Sequence, residues 1–557
     1  MDNPDFLIVG GGSAGATLAS RLSEDPATRV LLIEAGPDTP PDAVPADIAD
    51  TFPSSSINPR YFWPGLQAVR RTGEAPRPFP QARVMGGGSS VMGLWALRGM
   101  PSDYDAWAEA GAEGWGWRDV LKYFRRLEDD ADRDQSQSKP GPYPIRRIPP
   151  QDWPGFVTAI ERVAAARGFR GIADINEAPG DGFFPMPLSQ DAGTRSSTPK
   201  CYLTRDVRRR ANLAIMAETR VTALRIEGGF VRGITVERAA ETKTIAVRNV
   251  ILSAGAIHSP AILLRAGIGP AEELKAIGIA PVIDRPGVGR NLQNHPYLHF
   301  ALTLPPKSRL APHLRRFAVA GIRASSRMPD CPSSDLIAFM IGRVSPRAFG
   351  PDFAMVGAAL YAPFSRGAVS LVSPDPGTPL RIEFRLLDDP RDAPRMLHAA
   401  RLAEAFIFDS AVAATYSEAF LLPPVMSLNQ FNRPGLAGAL LGVAAKSVLN
   451  APGPLRRRLI ARAIRPGRWI GDRRQRLPLT DDELLSAVAP MAHVSCTCMI
   501  GRPADRMAVV DSACRVYGIE NLRVVDASVM PRVTSANTNL PTLMIAERAA
   551  DLIRGKG

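Results

Sequence analysis

Cysteine is scarce in this chain of 557 residues: Cys201, Cys331, Cys496, Cys498 and Cys514 are the whole set, odd in number and without framework spacing. That excludes a disulfide-built scaffold and suits free thiols in a reducing compartment. Cys496-x-Cys498 has no second ligand pair beside it, so no metal site is expected. Long apolar runs are also missing. None reaches the roughly 18 residues that cross a bilayer, although the overall apolar fraction, 45%, is that of an ordinary globular protein. Met1-Asp-Asn-Pro-Asp5 offers no basic n-region before the first apolar stretch. No secretory leader is therefore expected, and a cytoplasmic location is. Histidine is rare as well, with only six, so each can be weighed individually.

What is present is length, which predicts two domains or one large interleaved body, and a net charge of +13. The charge is unevenly spread. Eleven Lys or Arg stand against one acid, Asp472, between Arg433 and Arg476, and the remainder is nearly balanced. The basicity thus belongs to one element, and no nucleic-acid partner is expected. Gly435 to Leu449 reads as a small-residue apolar helix. In the segment after it, Leu455, Leu459, Ile460 and Ile464 fall near one helical face amid arginines. That pattern suits either peripheral contact with anionic lipid or a solvated helix over a substrate entrance.

The amino-terminal stretch Phe6-Leu-Ile-Val-Gly10-x-Gly12-x-x-Gly15 reads as a buried strand turning into a helix. A second strand, Arg29-Val-Leu-Leu-Ile, ends in Glu34, 19 residues past the last glycine. Strand, glycines, helix, strand and acid in this order predict a dinucleotide site. Gly10 permits the tight turn, Gly12 the approach of backbone N–H groups to a pyrophosphate, and Gly15 close helix–strand packing. The helix start favours phosphate charge, and Glu34 can hold ribose hydroxyls. The fingerprint serves nicotinamide and flavin alike. A second glycine–serine cluster, Gly86-Gly-Gly-Ser89-Ser90-Val-Met-Gly93, tips the choice towards a long, permanently held cofactor. Asn249 to Pro270 repeats the strand, glycine-turn, helix pattern, with Pro260 expected near a first turn.

These blocks, with Val288-Gly-Arg-Asn-Leu-Gln-Asn294-His295 and the segments His493-Val-Ser-Cys-Thr497 and Thr534-x-x-Asn537-Thr-Asn539-Leu-Pro541-Thr542, resemble the glucose–methanol–choline (GMC) flavin oxidoreductases along nearly the full length. Tyr61-Phe-Trp63-Pro64 and Asp103-Tyr104-Asp105-x-Trp107 resemble the bacterial hydroxymethylfurfural oxidase and choline dehydrogenase branches. The resemblance implies an α/β (α+β) fold: a Rossmann-like FAD-binding body with an interleaved substrate-binding cap built on a mixed β-sheet with helices. The body would comprise 1–150, 195–300 and 490–557. The cap would comprise 150–195 and 300–490, including the basic insert 433–476. Within the cap stretch, Gly367–Val372 and Leu380–Phe384 alternate like strands, and Pro394–Phe408 has helical spacing.

The resemblance also implies non-covalent FAD and assigns its contacts. From the first unit come Gly10, Gly12, Ser13, Ala14, Gly15, Glu34 and Ala35. Trp63, Arg83, Val84, Gly86, Gly87, Ser90, Val91, Met92 and Gly93 come from the second, then Val221, and Ser253, Ala254, Gly255 and Ser259. His493, Asp526, Ala527, Asn537, Asn539, Pro541 and Thr542 complete the set. His493 aligns with the family's catalytic base and Asn537, 44 residues on, with its second catalytic position.

The reaction implied is oxidation of a primary, apolar or aromatic (furanic) alcohol to the aldehyde. Hydride goes to flavin N5, His493 takes the hydroxyl proton, and the helix after Pro541 points its N-terminus at the flavin. Dioxygen or a quinone would accept the electrons. Met92 stands where the family usually has asparagine, Val91 where some members carry a flavin-linked histidine, and Met491-Ala492 where furan oxidases have Val-Trp. Alternatives are a choline dehydrogenase-like, membrane-associated enzyme, a flavin-dependent lyase or photodecarboxylase, and a flavoprotein without catalysis. Of the other histidines, His258 is expected to be structural. His295, His299, His313 and His398 carry no assigned role.

Overall fold

The computed structural model describes residues 4–133, 140–311, 314–315, 317–423, 432, 435–463 and 467–555. His313, Arg433, Ile464 and Arg465 lie outside the described residues. The body is a five-stranded parallel sheet in the order Leu213–Met216, Val30–Ile33, Phe6–Val9, Asn249–Leu252, Leu522–Val524. Val30-Leu-Leu-Ile33 is buried at every position. This is what a parallel strand covered on both faces requires. The fingerprint glycines have separate steric reasons. Gly10 has φ +101°, and a Cβ there would lie 2.5 Å from the Ser253 carbonyl oxygen. A Cβ on Gly15 would lie 1.8 Å from the Gly10 carbonyl oxygen, so helix Ser13–Leu22 packs on its strand only through glycine.

The terminal helix spans Asn539–Ile553, starting before Pro541 rather than after it, so the proline sits in the first turn where it is tolerated. It lies against helix Ser13–Leu22. Its fully buried Glu547 receives Arg21, Arg126 and the Tyr202 hydroxyl (2.7–2.8 Å), tying three distant segments to one carboxylate. Pro260 departs from expectation. Helix Gly255–Arg265 begins at the glycine, so the proline is internal. The Ala256 carbonyl, four residues earlier, therefore lacks its helical donor. The Thr497 hydroxyl donates to it instead, at 2.7 Å.

The cap sheet runs in the order Arg468–Gly471, Glu418–Leu421, Pro296–Thr303, Phe353–Leu360, Leu336–Ile341, Ala318–Ala324, Gly182–Pro185, with Ala489–Pro490 also paired to Pro296–Thr303. It was expected to be mixed; among the described residues its strand-to-strand ladders are antiparallel, and the parallel element is a single bridge from Gly171 to Phe183 at the edge. Helix Asp392–Ile407, expected at 394–408, covers one face: Met396, Ala399 and Ala403 share an apolar cluster with Leu336, Ala338, Met340 and Val356. The intervening residues Ile337, Phe339 and Ile341 join Trp95 and Met355 on the other face.

The strands Ala368–Ser370 and Arg381–Glu383 pair with each other and not with this sheet. Val369 and Ile382 cluster with Ala256, Ile257 and Trp63. The basic segment is a hairpin of helices Gly435–Leu449 and Gly453–Ala463. Its expected single apolar face is split: Ile460 is buried, whereas Leu455 and Leu459 are exposed. No helix among the described residues is long and apolar enough to cross a membrane.

Candidate active site

One cavity of about 680 Å³ runs from the amino-terminal glycine turn to His493. At its body end lie Gly10, Gly12, Ser13, Ala14, Glu34 and Ala35. Helix Ser13–Leu22 has no side-chain cap, and a Cβ on Gly12 would meet nothing within 4 Å. Uncapped N–H groups facing open space suit a phosphate. Glu34 accepts from the Gly11 and Gly36 N–H groups (2.7 and 2.8 Å), which fixes it at the sheet edge, and burial raises its carboxyl pKa. Asp526 accepts from Gly255 N–H (2.8 Å), Ser259 Oγ (2.6 Å) and Ser528 N–H (2.8 Å); burial is the main influence on it and raises its pKa. Trp63 packs against His258 with the rings tilted by 35° and their centroids 4.3 Å apart, and the Arg83 and Arg220 guanidiniums lie 5.6 and 5.8 Å from its ring. His258 is thus in a helix beneath an indole, and burial pushes its pKa down to about 3.

Trp63, Val84, Gly87, Met92, Gly93, Val221, Ser253, Ala254, Gly255, Asp526, Ala527, Asn539 and Thr542 also line the cavity. Gly15, Arg83, Gly86, Ser90, Val91, Ser259 and Pro541 do not. Gly15 serves packing, and Ser259 is held by Asp526. Ser90 donates to the Met85 carbonyl (2.7 Å), and Val91 is buried among Ile48, Tyr61 and Val84. The starts of the first and last helices meet here. Ser13 Oγ donates to Asn539 Oδ1 at 2.6 Å, and Asn539 Nδ2 donates to Tyr143 at 2.8 Å.

At the cap end His493 and Asn537 are in contact, with Asn537 Nδ2 2.9 Å from His493 Nε2. Two residues without an assigned role in the sequence complete the arrangement. His295 Nδ1 is 2.8 Å from His493 Nδ1, and its Nε2 is 3.1 Å from the Thr534 carbonyl oxygen. Tyr361 stacks on His295 at 4.5 Å and donates its hydroxyl to Asn537 Oδ1 at 3.0 Å.

A carbonyl only accepts, so His295 carries its proton on Nε2 and presents a lone pair at Nδ1. His493 must then donate from Nδ1, which leaves its Nε2 as the free base. Asn537, its oxygen taken by Tyr361, turns its amide N–H towards that lone pair. The donors run in one direction: Tyr361 to Asn537 to His493 to His295 to Thr534. Asn294 fixes the two imidazoles. Its Oδ1 accepts from the backbone N–H groups of His295 (2.9 Å) and His493 (3.1 Å), and its amide donates to the Met491 carbonyl.

Burial pushes His493 down to about 3, well below the near-neutral value expected of a free imidazole. It also holds His295 well below its ordinary value, with the neighbouring His493 adding to the effect. Both are neutral across the physiological range. The sequence signal for His295 was its block, Asn-Leu-Gln-Asn294-His295. Tyr361 carried no signal, because only the sheet brings it to the site.

A Rossmann-type body with a buried histidine–amide pair at the far end of its cofactor cleft defines a dinucleotide-dependent oxidoreductase. Family models described as GMC oxidoreductase match residues 4–297 and 363–546. The chain belongs to the GMC oxidoreductase family and is an FAD-dependent oxidoreductase. It is 39% identical over 566 residues to the 5-(hydroxymethyl)furfural oxidase of Methylovorus sp. (strain MP688), covering 99% of this chain and 98% of that relative. It is 31% identical to the oxygen-dependent choline dehydrogenase of Staphylococcus saprophyticus, covering 99% and 95%. The solved structure of pyridoxine 4-oxidase from Mesorbium loti superposes with a TM-score of 0.80 at 28% identity, covering 99% of each chain.

Proposed function

We propose that this protein oxidises a neutral primary alcohol, apolar or aromatic (furanic), to its aldehyde, with His493 as general base. The one-way chain of donors, which leaves His493 Nε2 unprotonated and facing the Asn537 amide, carries this reading. FAD, when bound, supplies the hydride acceptor, held by the glycine turns, Glu34, Trp63, Asp526 and the two helix starts at Ser13 and Asn539. The carbinol hydroxyl donates to His493 Nε2, and Asn537 Nδ2 turns to the same oxygen and orients it. When Nε2 takes the proton, the imidazolium is held through Nδ1–H by His295, whose own N–H stays on the Thr534 carbonyl. Burial opposes charging of His493, and this prepositioned acceptor offsets part of that cost.

The division into a body of 1–150, 195–300 and 490–557 and a cap of 150–195 and 300–490 follows this chemistry: the first holds cofactor, the second covers substrate. The substrate class follows from the cap's share of the wall. Ser189, Phe317, Phe339, Ile341, Phe384, Ala489 and Pro490 line it, joined by Tyr297 and His299 from the end of the adjoining body segment; none is formally charged, and burial holds His299 neutral at about 4. Among these, no carboxylate faces an ammonium group. Dioxygen is the first proposed acceptor, in keeping with the likeness to a furfural oxidase. The exposed apolar hairpin favours a second reading, a membrane quinone.

The test is anaerobic bleaching of the flavin with aliphatic, aryl, furanic and choline-type alcohols, followed by admission of air. Rapid bleaching by aryl or furanic alcohols and peroxide on re-oxidation are expected. A flavin that no alcohol bleaches, or only choline does, overturns the assignment.

A further inference from the structure

We infer that the hairpin Gly435–Leu449 and Gly453–Ala463 docks on an anionic lipid bilayer, an interaction that stands apart from the alcohol reading. On the first helix Leu436, Leu440 and Val443 follow each other at helical spacing and are 85%, 71% and 58% exposed. Its opposite side is seated on the protein: Gly442 lies against the Arg347 side chain, and Ala445, Val448 and Leu449 pack into the cap cluster. On the second helix Leu455, Arg458, Leu459 and Arg462 share one exposed face.

The arginines divide by role. Arg456 is held by Glu418 at 2.8 Å and Arg457 by Asp472 at 3.0 Å, which anchors the helix to the cap. Arg458 and Arg462 are exposed and have no ion pair among the described residues. Leucines that can dip below headgroups, beside arginines whose long stems reach back to phosphates, are the composition of an interfacial helix. At 1.5 Å per residue the first helix is about 22 Å long, short of the roughly 30 Å hydrocarbon core, so it lies in the interface.

A second copy of this chain fits less well. A two-fold contact would set Arg458 and Arg462 against their own images, in a chain already at +13. Anionic headgroups complement that charge. The inner side of the hairpin joins the cluster of Trp95, Phe339 and Met491, which also line the cavity. The seat of the docking face and the active-site wall therefore belong to one apolar cluster.

The FAD-loaded full chain is sedimented with phosphatidylcholine vesicles and with vesicles that also contain phosphatidylglycerol. Binding to the second kind only, weakening as salt is added, is expected. Arg458→Gln with Arg462→Gln lowers partitioning roughly 30-fold, about five-fold for each charge removed near the surface. Leu436→Gln, Leu440→Gln and Val443→Gln together lower it by at least about ten-fold. Both sets keep their flavin and their turnover of a water-soluble alcohol. No sedimentation of the unaltered protein with anionic vesicles, or unchanged partitioning of both variants, overturns the proposal. So does a doubled mass by light scattering that collapses in the leucine variant, which would assign the face to a second copy.

Discussion

The body and the cap are both sheets buried on two faces, yet only one was visible in the sequence. In the body the strands Phe6–Val9 and Asn249–Leu252 run into turns at Gly10 and Gly255, and the steric reasons are close at hand: a Cβ on Gly15 would meet the Gly10 carbonyl of its own unit, and one on Gly10 the Ser253 carbonyl at the end of the neighbouring strand. In the cap the partners are remote. Pro296–Thr303 pairs with Phe353–Leu360 and with Glu418–Leu421. Alternate residues of Leu336–Ile341 feed two different apolar clusters, one under helix Asp392–Ile407 and one at the cavity. Because both faces are apolar, the period-two signal disappears. Motif density, more than burial, separates the legible region from the opaque one.

That contrast can be broken from the body side first. Gly15→Ala places a methyl 1.8 Å from a backbone oxygen, and neither the helix nor the strand can retreat. The expected outcome is no soluble, flavin-bearing protein, read from expression and the flavin absorbance. A yellow, active Gly15→Ala enzyme would show that the body tolerates what its motif forbids.

At the junction, His493→Gln keeps the fold and the flavin but removes the base. Anaerobic bleaching by alcohol should slow by about 10²–10⁴. His295→Leu removes the acceptor that fixes the His493 tautomer, and a loss of roughly 10- to 1000-fold in kcat is expected, with flavin content unchanged. His295→Gln, which retains an acceptor, should recover part of it. An equal loss in both would assign His295 to packing alone.

The smallest effect is graded by pH. His258 and His493 are pushed down to about 3 and His299 to about 4, from an ordinary value of 6.5. The unfolded chain therefore binds more protons than the folded one between about pH 3 and 6.5. Stability from these groups is present above 6.5 and is lost as pH falls through that window, by about 1.4 kcal/mol per unit for each histidine. The melting temperature should decline steadily from pH 7 to pH 5. Replacing His258, which lies at the body end, with a neutral isostere should flatten the slope by one proton without touching turnover at the cap end.

The individual residues show where legibility stopped. His493 and Asn537 were found because they stand in a block with recognisable neighbours, and the structure places them in contact. His295 was quoted in its motif but given no role, because its meaning lies in a 2.8 Å contact with a residue 198 positions away. Pro260 was placed in a first turn, and only the long-range hydroxyl of Thr497 explains how an internal proline is satisfied. Leu455, Leu459 and Ile460 were grouped on one apolar face. The fold turned Ile460 inward and left the leucines outside.

The order of residues by itself determined the cofactor turn and the family, and it singled out the proposed base. Each rests on short-range sterics or on a few side chains at fixed spacing. Tertiary structure alone decided the direction of proton donation, the uncharged cap wall and the outward leucines of the hairpin. Those depend on which distant carbonyls, rings and helices come to share a neighbourhood, and that is set by burial over the whole chain rather than by any local pattern.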